Sequence, residues 1–286
     1  MVELEKRKNL IRKPLMEKQS LVNQARKILE GESLKSKLIA FENPLFDSID
    51  NYTINKPGRN KNLSFSEKKY KFPKNFENIE SRVRAIHAFA NHELLAIEIM
   101  CLALLKFDDK EDLIPFKKSL INTIHDEQKH LKLYIDRIQA MGYDFGDFPL
   151  NDYFWAQSTK IERPAQFSAM MSLTFEAANL DFSHHYMSEF RKVGDIETAK
   201  VMKIVFDDEI NHVHLGLHFM NSWKERKKIW DYYLENLIFP LTPARSKGIY
   251  YQKEFRVLAG FDEEYIESLE SFDDGYKITN RKKCTI

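Results

Sequence analysis

Asp126-Glu127-Gln128-Lys129-His130 returns 82 residues later as Asp208-Glu209-Ile210-Asn211-His212. These are the two Glu-x-x-His pairs of the sequence, and each has an Asp directly before the Glu. Residues three apart on a helix project from one face, so each pair offers a carboxylate and an imidazole to a common point. A single pair carries little weight, since roughly one is expected by chance in a chain with 9 His and this much Glu. The weight comes from what stands upstream of each copy. Glu93 precedes Glu127 by 34 residues, and Glu176 precedes Glu209 by 33. The order is therefore Glu, Glu-x-x-His, Glu, Glu-x-x-His.

Working outward, each of these residues falls on the apolar stripe of a predicted helix. The first core helix spans about 81–105, with Ile86, Phe89, Ala90, Ile97, Met100 and Leu104 at three- and four-residue steps and Glu93 among them. The second runs from about 114 to 141, ending before Gly142, and carries Glu127 with Leu120, Ile124, Leu131, Tyr134 and Ile138. The third opens on Pro164, a residue suited to a first helical turn, and holds Glu176 between Leu173 and Leu180 up to about 193. The fourth, about 196–223, carries Met202, Val205, Glu209, His212, Gly216 and Phe219. A carboxylate on a buried stripe is costly unless paired or metal-bound, and the four stripes are short of Lys and Arg, which argues against buried salt bridges. Bundles that hold two iron or manganese ions draw one Glu from each of two helices and a Glu-x-x-His from each of the other two. The metal ligands expected are Glu93, Glu127, His130, Glu176, Glu209 and His212. Between the second and third helices, residues 142–163 are aromatic and turn-rich, too long for a hairpin. A long crossover between two tight helix pairs is the ferritin-like arrangement. The fold class expected is all-α: a ferritin-like four-helix bundle over 80–223, with an N-terminal helix and wrapping arm over 1–79 and a C-terminal helical extension over 224–286.

Outside the bundle, residues 1–31 read as one amphipathic helix ending at Gly31. The stretch 43–79 is rich in Asn, Pro and Lys, yet Leu45, Phe46, Leu63, Phe65, Tyr70 and Phe72 supply apolar anchors for an arm that wraps the body. A fifth helix is expected over about 224–237 and a short one over 262–272, with a frayed tail from 280. The 286 residues carry 44 basic and 43 acidic side chains, net +1, so no global basic field favours nucleic acid. No apolar signal segment follows Met1 and no uncharged run approaches a membrane span. Cys101 and Cys284 form no metal or redox motif. A cytoplasmic protein is expected.

Four carboxylates and two imidazoles suit hard or borderline divalent ions, so the cofactor expected is two Fe ions, with Mn or a mixed Fe/Mn pair as alternatives. Glu127 and Glu209 are assigned as bridges, Glu93 and Glu176 as terminal ligands, with one imidazole per ion. Asp126 and Asp208 are expected behind the ligands, where a carboxylate takes the second imidazole N–H and fixes the tautomer. Tyr134, one turn beyond His130, is a catalytic candidate that could pass an electron to the centre. His87, His92, His184 and His185 are read as structural.

Several stretches resemble a known family: Arg84 through Ala96-Ile97-Glu98, the Asp-Glu-x-x-His of the second helix, Phe175-Glu176-Ala177, and Asp208-Glu209-Ile210-x-His212-Val213. So do Pro57-Gly58-Arg59 before the bundle and Glu254-Phe255-Arg256-x-x-Ala259-Gly260-Phe261 after it. The chain from about residue 40 is similar to the ferritin-like domain-of-unknown-function 455 family, and the six ligands match that family's positions. The resemblance implies one dressed bundle with a metal site and leaves the substrate open. The expectation for function is a di-iron oxidoreductase that activates dioxygen to oxidise or hydroxylate a small organic substrate, with an unknown electron donor and a possible homodimer. The other readings are a ferroxidase or peroxide-scavenging iron protein, a tRNA-nucleoside hydroxylase resembling MiaE, and a non-catalytic protein whose metal staples the bundle.

Overall fold

A computed structural model of the chain describes residues 17–68, 70–107 and 110–273, and these are mostly helical. Helix α1 (Leu21–Glu30) starts at Ser20, whose hydroxyl accepts the Asn23 N–H at 3.0 Å, a cap that relieves one of the unpaired amides of the first turn. The expected helix over 1–31 is therefore shorter among the described residues; 1–16 lie outside them. Gln19–Ser20 (β1) is extended and pairs in parallel with Pro44–Leu45 (β2). The Gln24 side chain ties the two by donating to Gln19 O and Glu42 O and accepting from Glu42 N. A single turn, α2 (Leu34–Lys37), follows.

From 46 to 78 the backbone has almost no regular structure and runs over the helices as an arm. Gly58 donates its N–H to Leu29 O at 2.9 Å. A Cβ at Gly58 would fall 1.9 Å from Glu30 O, so the crossing needs glycine. Leu63 and Phe76 are buried, Phe65 bridges Leu150, and the Trp155 indole donates to Asn55 O at 2.9 Å.

The long helices follow. α3 (Ile79–Lys106) is capped by the Asn78 side chain on Ser81 N at 2.8 Å. α4 (Ile114–Ala140) carries Pro115 in its first turn. The crossover contains a helix not expected from sequence, α5 (Tyr153–Ser158). The stretch expected as one helix over 164–193 is three segments: α6 (Pro164–Met170), a π-helical stretch Met171–Glu176, and α7 (Ala177–Lys192). The Thr174 hydroxyl donates to Ala169 O at 2.7 Å, satisfying a carbonyl where the wider turn breaks the ordinary ladder. α8 (Ile196–Trp223) is capped by Asp195 on Thr198 N at 3.1 Å.

The C-terminal layer holds α9 (Ile229–Asn236), α10 (Lys253–Leu258) and α11 (Glu263–Ser271). α9 starts later than expected because 224–228 form a turn, with Glu225 at φ 53° and Lys227 N–H donating to Lys224 O. α10 was absent from the sequence reading, and the tail from 280 lies outside the described residues.

α3 packs along α4 and α7 along α8; α4 and the π segment close onto α8, and α1 lies over α3. α3 is long and apolar enough to cross a bilayer by length and composition, but 94% of its apolar window is buried within the protein. Two buried ion pairs fasten the flanks. Glu98 on α3 receives Arg59 from the arm at 2.6 Å and Lys37 from α2 at 3.0 Å. Asp181 on α7 receives Arg256 from α10, and its carboxylate also accepts from Gly248 N and Gln252 N.

Candidate metal centre

The helix pairs bring all six expected ligands into the core. Glu93, Glu127, His130, Glu176, Glu209 and His212 are each 5% exposed or less. Donor atoms of Glu93, Glu127, His130 and Glu209 lie within 4.8 Å of one another, and so do those of Glu127, Glu176 and His212. Glu127 belongs to both groups. The imidazoles point the same way: His212 Nδ1 lies 3.2 Å from Glu127 Oε1 and 3.5 Å from Glu209 Oε2, and His130 Nδ1 lies 3.5 Å from Glu127 Oε2.

Among the described residues, thirteen buried side-chain polar atoms lack a hydrogen-bond partner, and six of them converge here. They are Glu127 Oε2, His130 Nδ1, both Glu176 oxygens, Glu209 Oε2 and His212 Nδ1. Leaving such atoms unpaired costs about 1–3 kcal/mol each, so their gathering at one point calls for a common partner. No Lys or Arg among the described residues ion-pairs with the four glutamates; the basic residues nearby pair elsewhere. The donor set, oxygen-rich with two imidazoles, fits two divalent cations. Without a cation, protons carry the balance. Burial and the Glu127 charge push Glu93 well up, and burial pushes Glu176 up. Burial also opposes ionisation of Glu127, but Glu93 and both imidazoles outweigh it and hold that carboxyl well below its usual range. Burial lowers His212, yet its carboxylate neighbours Asp126, Glu127 and Glu209 win and raise it. A cation pair would displace these protons.

The outward imidazole nitrogens cross between helices. His130 Nε2 on α4 pairs with Asp208 Oδ2 on α8 at 2.9 Å, while His212 Nε2 on α8 pairs with Asp126 Oδ2 on α4 at 3.3 Å. Each Asp thus orients the histidine of the opposite helix. Lys129 sits over the crossing, 2.5 Å from Asp208 Oδ2 and 3.7 Å from Asp126 Oδ1. The His130 contact, with Lys129 behind it, lowers Asp208 to about 2.

Tyr134 is buried, and its hydroxyl donates to Met202 Sδ at 3.4 Å. Burial and the carboxylates of Glu93, Glu209 and Glu127 hold its proton tightly. The other histidines are occupied elsewhere: His87 Nε2 accepts the Gly146 N–H at 2.9 Å, His92 stacks on Phe154, and His184 and His185 pack on aromatic rings.

Three contributors escaped the sequence reading. Asn179, near the start of α7 and three residues beyond Glu176, donates to Glu209 Oε1 at 2.7 Å; a Glu-x-x-Asn spacing alone does not single it out. Lys129 lies inside the Asp-Glu-x-x-His motif itself. Gly216, one turn beyond His212, opposes Ser172 of the π segment, where a Cβ would sit 2.1 Å from Ser172 Cβ. Its missing side chain lets the segment carrying Glu176 press against α8.

The profile of the family described as "Protein of unknown function (DUF455)" matches residues 12–267, and the chain belongs to that family. An uncharacterized protein of Haemophilus influenzae is 25% identical over 161 residues, which cover 54% of this chain and 56% of that protein. The chain thus spans about half the length of this relative. No solved structure matches the chain.

Proposed function

We propose that the chain is a ferritin-like di-metal carboxylate protein, an oxidoreductase whose iron pair, or Fe/Mn pair, activates dioxygen to oxidise or hydroxylate an organic substrate. One observation carries the reading: six unpartnered, buried carboxylate and imidazole atoms converge between helices without a basic counterion. Glu93, Glu127, His130 and Glu209 would hold one ion and Glu127, Glu176 and His212 the other, with Glu127 common to both. When bound, such a pair supplies a redox couple and Lewis acidity. The chain's own residues do the rest. Asp208 and Asp126 fix the imidazole tautomers, and Asn179 holds one oxygen of Glu209. The phenol of Tyr134 stays protonated against three neighbouring carboxylates, its hydroxyl turned to Met202 Sδ.

A ferroxidase or peroxide-consuming reading is favoured by one dimension. The cleft that meets Glu176 and His212 encloses only about 20 Å³, room for a water-sized molecule. An organic substrate would need the side chains around it to give way.

The test is metal analysis of wild-type protein beside the Glu127→Ala, Glu209→Ala double variant, with optical spectra before and after oxygen exposure. About two transition-metal ions per chain, lost in the variant, and an oxygen-dependent absorbance change are expected. A wild-type protein without transition metal, or with metal content equal to the variant's, overturns the proposal.

A further inference from the structure

The two halves of the centre are not equivalent. Glu209 has one oxygen held by Asn179 at 2.7 Å, and Glu127 stands between two imidazoles. Neither oxygen of Glu176 has a hydrogen-bond partner, although the residue is only 5% exposed. Glu176 is also the last residue of the π segment, where the backbone departs from the rigid α-helical ladder. Among the described residues it is the one expected ligand with both carboxylate oxygens lacking a hydrogen-bond partner.

A cleft reaches the centre on this side, lined by Glu176 and His212. It is formed mainly by residues of α4 and α8, Gly216 among them, with Ser172 of the π segment. Its walls are apolar, chiefly Phe116, Leu120 and Phe219. Ser119 and Phe219 stand half-buried at the outer end, whereas Phe116, Leu120 and Glu176 are buried. A path with apolar walls and a carboxylate and imidazole at its end passes small, weakly hydrated molecules and delivers them beside exchangeable ligands.

Building on the di-metal reading, we infer that the Glu176–His212 half is the port for exogenous ligands: a linear molecule of two or three heavy atoms enters between α4 and α8 and binds where Glu176 swings aside. Glu176 acts here by making room, which its two unheld oxygens and its place on the π segment permit. The cleft as it stands has room for a water-sized molecule, so dioxygen, peroxide or azide enters only as Glu176 gives way, and ring-sized molecules need a larger rearrangement.

The experiment follows azide binding to the iron-loaded, oxidised full-length protein by stopped-flow absorbance, with metal content measured on each sample. Three variants are compared with wild type. Ser119→Trp plugs the mouth, Phe219→Ala widens the wall, and Leu133→Trp places the same bulk in the groove lined by Leu34 and Leu38, away from the cleft. Ser119→Trp is expected to slow association about tenfold or more with metal content intact; Phe219→Ala is expected to speed it, and Leu133→Trp to leave it unchanged. A fully metallated Ser119→Trp protein that binds azide at the wild-type rate overturns the port and leaves the di-metal reading standing. Equal slowing by Leu133→Trp also overturns it, since the effect would then be general. A wild-type protein that takes up no metal overturns both.

Discussion

At the scale of single residues, the centre is governed by what each polar atom lacks or holds. Asp208 has His130 on one side and Lys129 on the other, so Asp208→Ala frees the imidazole to rotate and change tautomer. Loss of a carboxylate that orients a ligating histidine costs 10–100-fold in metal affinity, and a cobalt titration of the variant is expected to show about that loss. His87 gives a prediction away from the centre. Burial lowers its pKa from the ordinary 6.5 to about 4, and the residue is fully buried with Nε2 accepting from Gly146. The unfolded chain therefore takes up a proton near pH 6.5 that the folded one refuses until about pH 4. Its stabilising contribution is complete above pH 6.5 and falls away between the two values, by about 3 kcal/mol in all. Urea unfolding at pH 7 and pH 4.5 is expected to show the His87→Gln variant losing less stability on acidification than wild type. The six expected ligands, which the structure gathers in the core, were legible as candidates in the sequence because Glu-x-x-His repeats with matched upstream glutamates, on stripes where a carboxylate has no reason to be. Asn179 was not, because a single amide on a half-buried helix face looks like any other.

At the scale of elements, the π segment decides where Glu176 lies, and it rests on contacts from far along the chain. Thr174 bonds Ala169 O and also the Tyr233 hydroxyl at 2.8 Å, which in turn meets Ser246 Oγ at 2.8 Å. A periodicity reading joins 164–193 into one helix, since the wider turn depends on a partner 59 residues away. The boundaries of α3, α4 and α8 lie close to those expected because each is long, carries a continuous apolar stripe and starts at a side-chain cap or a Pro. α10, at six residues, is too short to show a period. Gly216 was read as a member of the α8 stripe, but its meaning is steric. Gly216→Ala would drive a methyl into Ser172 and pry the π segment from α8. A loss of about 1–3 kcal/mol is expected from such overpacking, with weakened metal binding. Thermal unfolding and metal titration check both, and Ser172→Gly in the same chain is expected to restore part of each by removing the atoms struck.

For the whole molecule, the arm and the C-terminal layer are fixed by charge placed in the core. Glu98 lies between Lys37 and Arg59, all three buried. Glu98→Gln removes the carboxylate and leaves two buried cations facing each other. Breaking a buried pair in this way costs about 3–5 kcal/mol, so the denaturation midpoint is expected to fall steeply, while Glu80→Gln, whose pair with Arg84 is exposed, is expected to change it little. Arg59, Glu98 and Arg256 stood in the stretches that carry the family resemblance, yet sequence alone gave them no role, because their partners lie 39 and 75 residues away.

The chain of hydroxyls from Thr174 through Tyr233 to Ser246 has a consequence for how this protein could be cut or transplanted. The ligands all fall between 93 and 212, and a designer or a recombination event would draw the borders close around them. But the widened turn that aims Glu176 borrows its anchorage from 233 and 246, and α7 is pinned through Asp181 to Arg256. The contacts that hold the Glu176 segment and α7 therefore extend to residue 256. A fragment ended at Trp223 keeps every candidate ligand in its sequence but lacks the contacts that position Glu176, so the C-terminal flank is part of the site's architecture.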